Sequence, residues 1–103
     1  MISNTKFNSF KEFYPFYLSQ HSKKTTKILH VIGSLGVIFI FLYSLLINNW
    51  KLLYFLPLCG YGFAWIGHFF FEKNKPATFK FPLYSFIGDW VMLKDILTGK
   101  IKV

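Results

Sequence analysis

The sequence predicts an all-α integral membrane protein, a helical bundle of about four helices of which two are transmembrane. The first observation is composition: 53% of the residues are hydrophobic, 22% are aromatic and only 16% are charged, whereas soluble domains carry about a quarter charged residues. The second is a pair of apolar runs that approach the length of roughly 20 residues needed to cross a bilayer. A chain of 103 residues has room for one domain, residues 1–103. A dense soluble core is the less favoured alternative, because so small a domain could not bury both runs.

The two apolar runs predict transmembrane helices at about residues 28–48 and 51–72. Residues 31–47 contain no charge, and the ionisable groups of residues 52–71 are limited to one cysteine, one histidine and tyrosine hydroxyls. The sequence INNWK between them has room only for a tight turn, so the helices should form an antiparallel hairpin. Lysines flank both outer ends and the turn holds only Lys51. The positive-inside rule then places the N- and C-termini in the cytoplasm.

Two further helices are predicted outside the hairpin. Ser9 and Glu12 have the spacing of a capping box, which starts a helix at Phe10. An amphipathic apolar stripe follows at Phe10, Phe13, Tyr14, Tyr17, Leu18 and His21. Pro15 either kinks this helix or delays its start. Pro82 opens a C-terminal helix over about 82–98 that stops near Gly99, and whether it spans, re-enters or lies in the interface stays open.

The histidines are predicted to converge at one end of the bundle. His30 and His68 lie about equally far from the turn, so an antiparallel hairpin brings them to one level within about one helical rise of 1.5 Å. Both lie on helix faces rich in small residues, which mark close helix contacts. His21 would sit opposite His30 on a continuous helix. A break within SKKTT, whose hydroxyls can cap a new helix, removes that conflict.

Two acids accompany these histidines. Glu72 follows His68 by four residues and therefore shares its face on an α-helix, and Asp89 enters at a similar level from the last helix. Imidazoles with a carboxylate are ligands of zinc and of non-haem iron, and the residues alone do not choose between the metals. Structural alternatives remain for each group: a helix-end role for His21, snorkelling for His30, a helix-joining polar pair for His68 and Glu72, and a capping carboxylate for Asp89.

The segments FYLSQHSKKTTKILHVIGS and GYGFAWIGHFFFEKNKPATFKFPLYSFIGDWVMLKDILTGK resemble the Mpo-like family of small membrane proteins, typified by a fungal enzyme of phytosphingosine degradation. The shared pattern includes Y-L-x-x-H, H-x-x-G and A-W-x-x-H-x-x-x-E-x-N-x-P-A-x-F, and it covers nearly the whole chain.

The resemblance implies an Fe(II)-dependent dioxygenase of lipid α-oxidation, which acts on a 2-hydroxy fatty acid and O2 and releases an acid one carbon shorter. It implies metal ligation by His21, His30, His68 and Glu72, with Glu72 as fourth ligand or as an orienting residue. Catalytic roles then fall to His68, Glu72 and Asp89. Lys73, Asn74 and Lys75 are the expected substrate-binding residues, since lysines can steer a carboxylate.

Charge limits the expected partners. The net charge is +8, yet no basic residue is arginine, so the bidentate fork that favours phosphate and base contacts is missing and nucleic acid is not expected. Membrane lipid is expected, because each lysine near an anionic surface contributes about 1 kcal/mol. A homo-oligomer is compatible with the sequence.

Two other function classes compete with the enzyme. The first is a non-catalytic helical membrane adaptor or assembly protein, in which the polar residues only join helices. The second is a small proton- or cation-coupled transporter using His68 and Glu72. The transporter is disfavoured because both groups lie at one surface, whereas such sites usually lie at mid-membrane.

Overall fold

The computed structural model describes residues 7–103, and within that range it is helical without any strand. The four α-helices are α1 (Phe10–Ser19), α2 (Lys24–Leu46), α3 (Phe55–Ile66) and α4 (Pro82–Leu97). Short 3-10 helices lie at Trp50–Tyr54 and Ala77–Phe79, and a π-helix at Gly67–Glu72 continues α3. The part of the predicted domain at residues 1–6 lies outside the described residues.

Helix α1 begins at Phe10, as its capping box predicts. The Ser9 hydroxyl accepts a hydrogen bond from the Glu12 backbone N–H at 3.3 Å, and the Glu12 carboxylate accepts one from the Asn8 N–H at 3.1 Å. The Ser9 bond satisfies a backbone donor that a helix start otherwise leaves without a partner, and the Glu12 bond ties the preceding residue to the first turn. Pro15 lies inside the helix and does not delay its start.

An aromatic core joins α1 to α4 and to the loop before it. Its buried members are Phe13, Tyr17, Ala77, Phe81 and Met92. Gly88 of α4 lies directly under the Tyr17 ring, since a Cβ there would lie 3.0 Å from the ring atom Cδ2. The missing side chain therefore lets Tyr17 pack flat on α4, with its hydroxyl toward the middle of the molecule.

Two segments, Lys24–Leu46 and Trp50–Glu72, are long and apolar enough to cross a membrane by length and composition. Large apolar side chains on both are exposed, including Leu46 at 82%, Leu58 at 68% and Phe39 at 67%. An exposed apolar surface of this extent is unusual for a soluble monomer. The second segment is not the uniform α-helix predicted: it is a 3-10 turn, then α3, then the π-helix.

Glycines set the close contact between α2 and α3. A Cβ on Gly33 would lie 3.1 Å from the Phe63 Cβ and 3.2 Å from the Cys59 carbonyl oxygen. Both atoms are fixed by the backbone of α3, so a side chain at position 33 could be accommodated only if the whole helix moved. Gly67 likewise lies against Thr26, so the small residues mark helix contacts as predicted.

Replacing Gly33 with valine should force the two helices apart. We expect the free energy of unfolding to fall by about 1–3 kcal/mol, the usual range for overpacking. Gly62→Val is the matched control, because a Cβ on Gly62 of α3 meets nothing within 4 Å. Thermal unfolding in detergent measures both variants; equal melting temperatures for the two would contradict the assigned contact.

Candidate functional site

Three histidine rings meet in the interior, and His21 lies between the other two. Its ring centroid is 4.9 Å from that of His30 and 4.4 Å from that of His68. All three side chains are buried. His21 reaches this position because α1 ends at Ser19 and α2 starts only at Lys24, so the connecting residues turn the ring back toward the two long segments.

The tautomer of His21 follows from its one hydrogen bond. Its Nδ1 lies 2.7 Å from the Tyr17 carbonyl oxygen. A carbonyl only accepts, so Nδ1 carries the proton and Nε2 holds a lone pair. That Nε2 is buried and has no hydrogen-bond partner. Burial, and next the neighbouring His30 and His68, lower the pKa of His21 to about 2, so the ring is neutral at physiological pH.

His68 is oriented by a relay of amide groups. The Asn74 side-chain N–H₂ donates to the Gln20 carbonyl at 3.3 Å and to the Gln20 side-chain oxygen at 3.2 Å. The Asn74 oxygen therefore faces His68 Nδ1, at 2.8 Å. Since this oxygen only accepts, His68 Nδ1 carries the proton and Nε2 has the lone pair. An N–H held in this way is typical of metal-ligating histidines.

His30 belongs to a third hydrogen-bonded group, with Tyr17 and Asp89. The Tyr17 hydroxyl donates to Asp89 Oδ1 in a short hydrogen bond. His30 Nε2 lies 3.2 Å from the same carboxylate oxygen and 3.3 Å from the Tyr17 hydroxyl. Because the carboxylate is an acceptor, His30 Nε2 carries the proton, which leaves Nδ1 with the lone pair. Burial and the Asp89 charge raise the pKa of Tyr17 well above its usual value, so it stays protonated.

The hydrogen-bond partners of Glu72 are not the three histidines but two residues of the connection between α1 and α2. Its Oε1 accepts from the Ser22 hydroxyl at 2.9 Å, and its Oε2 accepts from the Lys23 backbone N–H at 2.6 Å. Glu72 therefore caps the start of α2. The sequence predicted that a hydroxyl of the SKKTT segment would cap α2. Instead the N-cap residue is Lys23, which makes no side-chain capping bond.

His68 and Glu72 lie on the π-helix Gly67–Glu72, which follows i→i+5 bonding and not the α-helical bonding predicted. Both side chains contact adjacent residues of the connection between α1 and α2: His68 packs against His21, and Glu72 accepts bonds from Ser22 and Lys23. The segment ends at Lys73, which has left-handed backbone geometry at φ 62°.

The three expected substrate-binding residues separate into two groups. Asn74 lies at the site, on His68. Lys73 and Lys75 are exposed at the surface.

Sequence reasoning missed several residues of this site. Tyr17 was predicted as part of an apolar stripe and of the pattern Y-L-x-x-H but was given no role at the site, although its tyrosine hydroxyl signals a buried hydrogen bond. Gln20 gave no sequence signal, and Ser85 was noted only within the segment that resembles the family.

A small cavity lies beside the histidines, and an apolar groove adjoins it. The cavity holds about 10 Å³, room for about one water-sized atom. The groove holds about 200 Å³. The two share three lining residues: His30, Tyr61 and Asp89. The rest of the groove is largely apolar, with Val37, Leu56, Pro57, Phe86 and Trp90 among its lining residues.

The donor chemistry of the cluster suits a metal, but the rings are not already arranged around one. Each histidine has one protonated nitrogen with an oxygen partner and one nitrogen with a lone pair, and imidazole suits iron and zinc. Among residues 7–103, however, no group of three or more His, Cys, Asp or Glu side chains has a geometry that could hold a metal ion. Metal binding would therefore require the rings to turn.

A family model described as "2-hydroxy-palmitic acid dioxygenase Mpo1-like" matches residues 7–101. The chain belongs to the Mpo1-like family. The match covers all four α-helices and every residue of the site just described. No curated protein and no solved structure matches the chain.

The neutral, buried state of His21 in this Mpo1-like protein predicts a pH-dependent stability. The unfolded chain protonates His21 below pH 6.5, whereas the folded chain does so only near pH 2. The contribution of neutral His21 to the free energy of unfolding is complete above pH 6.5. It is lost as the pH falls below this value, by up to about 1.4 kcal/mol per pH unit.

Unfolding of metal-free protein at pH 8, 6.5 and 5 measures this dependence. His21→Gln should reduce the loss of stability between pH 6.5 and 5, because glutamine does not titrate. The other histidines are unchanged, so the difference from wild type reports on His21. If wild type and variant lose stability in parallel, His21 is not held neutral by the fold.

Proposed function

We propose that this protein is a membrane-bound, iron(II)-dependent dioxygenase that converts 2-hydroxy fatty acids to fatty acids one carbon shorter. The observation that carries the proposal is the buried cluster of His21, His30 and His68, in which every ring has a fixed proton and a free lone pair. The description of the Mpo1-like family supplies the reaction class. Without the cluster, the family name alone would not indicate where the chemistry occurs.

The three histidines would hold the iron, and their oxygen partners would orient them. The Tyr17 carbonyl fixes the proton on His21, Asn74 fixes the one on His68, and Asp89 fixes the one on His30. When bound, iron(II) would supply oxygen activation and the Lewis acidity that positions a hydroxy acid. Glu72 acts here as an orienting residue, since both of its oxygens are used at the start of α2.

Asp89 is the group best placed to manage a substrate proton. Its Oδ1 accepts the Tyr17 hydroxyl proton and faces His30 Nε2. It also lines both the small cavity and the apolar groove. A substrate hydroxyl at their junction would lie beside this carboxylate, which we assign as the proton acceptor of the reaction.

The groove is suited to the start of an acyl chain. Its lining runs from His30 to Val37 on α2, an axial distance of about 10 Å. Each methylene buried there contributes about 0.8 kcal/mol. The overall conversion balances with one O2 per hydroxy acid, giving the shorter acid, carbon dioxide and water. The four electrons that O2 takes up come from the substrate, so no other reductant is needed.

We also propose that α2 and the Trp50–Glu72 segment cross the membrane as an antiparallel hairpin within a four-helix bundle. The order of their contacts supports this: Thr26 meets Gly67, Gly33 meets Gly60, and Gly36 meets Cys59. The lysine-rich ends, with both termini, would then face the cytoplasm. Exposed Lys73 and Lys75 would attract the anionic head of a fatty acid dissolved in the bilayer.

Oxygen uptake tests the proposed reaction. Purified protein loaded anaerobically with iron(II) should consume O2 with 2-hydroxyhexadecanoic acid and not with hexadecanoic acid, and the product should be pentadecanoic acid. His68→Ala should lose both bound iron and at least about a hundredfold in turnover, because it removes a ligand.

Lys11→Ala is the control, since Lys11 is exposed on the outer face of α1. Turnover by a folded His68→Ala variant would overturn the assignment of the site. No uptake and no retained iron in the wild type would favour the helical adaptor.

A further inference from the structure

The cavity beside the histidines contains polar atoms that the fold leaves without partners. Three buried side-chain atoms of its lining have no hydrogen bond: His21 Nε2, Trp65 Nε1 and Ser85 Oγ. Ser85 is 1% exposed and His21 is 1% exposed. A buried polar group without a partner costs about 1–3 kcal/mol. Three of them around one cavity indicate a ligand that supplies the missing bonds.

The chemistry of these atoms describes that ligand. Trp65 Nε1–H is a donor only, the Ser85 hydroxyl donates one proton, and His21 Nε2 accepts. An alcohol oxygen accepts two hydrogen bonds and donates one, which complements this set. The cavity has room for about one such oxygen. A carboxylate oxygen fits less well, because Asp89 lines the same cavity and like charges repel.

We propose that Trp65 and Ser85 bind the 2-hydroxyl group of the substrate and thereby select hydroxylated over unhydroxylated fatty acids. The proposal rests on the proposed function for the identity of the ligand. The adjoining groove accommodates the apolar chain on the far side of His30, Tyr61 and Asp89. In metal-free protein His21 Nε2 accepts the hydroxyl proton; with His21 on iron, the two donors remain for the hydroxyl oxygen.

Trp65 and Ser85 select the hydroxylated acid because of the cost of binding an acid without a 2-hydroxyl group. An acid that lacks it leaves the Trp65 and Ser85 donors buried and unpaired. Sites built to bind a hydroxyl discriminate strongly against analogues without one, for this reason. Ser85 and Trp65 are therefore specificity-determining residues, separate from the histidines and Asp89.

The test is binding to metal-free, full-length protein in detergent, with 2-hydroxyhexadecanoic acid and hexadecanoic acid as probes. Wild type should bind the hydroxy acid at least about tenfold more tightly. Ser85→Ala and Trp65→Phe should each bring the ratio of the two dissociation constants close to one. The affinity for hexadecanoic acid should not fall, since neither variant removes a bond to it.

Folding is checked by the same variants. Ser85→Ala removes a hydroxyl that has no partner, so its melting temperature should equal or exceed that of wild type. Ser44→Ala is the matched serine control: Ser44 is fully buried, but its hydroxyl donates to the Phe41 carbonyl, away from the cavity. Trp50→Phe is the tryptophan control, since Trp50 is exposed at the turn. Both controls should keep the wild-type ratio.

Equal affinity of the wild type for the two acids would overturn the proposal and indicate a cavity that holds only water. A preference that survives both Ser85→Ala and Trp65→Phe would overturn it as well. The outcome is separable from the reaction. Selective binding of the hydroxy acid without oxygen uptake would retain this inference and reject the dioxygenase. Oxygen uptake, with a ratio of dissociation constants that Ser85→Ala and Trp65→Phe leave unchanged, would retain the dioxygenase and reject this inference.

Discussion

The site depends on the break between α1 and α2. A continuous helix through residues 19–24 would turn His21 away from His30, and the central ring of the cluster would be lost. The break is held from both sides of the connection. Glu72 accepts bonds from Ser22 and Lys23, and Asn74 donates to Gln20. The end of the second long segment thus fixes the loop that carries His21.

The same connection couples folding to the chemistry of the cluster. Asn74 reaches Gln20 with one end of its amide and His68 with the other, so the loop position and the His68 tautomer are set together. Tyr17 has a similar double role. Its ring packs on α4 at Gly88, and its hydroxyl reaches Asp89. The aromatic core of α1 and α4 is therefore also the support of the His30 group.

Local signals in the sequence predicted the elements well and the long-range partners poorly. The capping box placed the start of α1 at Phe10, and Pro82 placed the start of α4. The glycine faces predicted the contact between the two long segments. The π-helix was not predictable, because the α-helical spacing of His68 and Glu72 looks the same in sequence. Nor could sequence show that Glu72, 50 residues from Ser22, would replace a local hydroxyl as the cap. Trp65 and Ser85 lie within the segments that resemble the family, but their place at the cavity is visible only from the hydrogen bonds that their buried polar atoms lack.

If the three histidines form an iron site, protein loaded anaerobically with iron(II) and then desalted should retain one iron per chain. Its X-ray absorption should show imidazole nitrogens in the coordination sphere of the iron, with a lower nitrogen contribution in His21→Gln. Protein that retains no iron, or iron whose spectrum shows only oxygen neighbours, would contradict an iron site at the histidines.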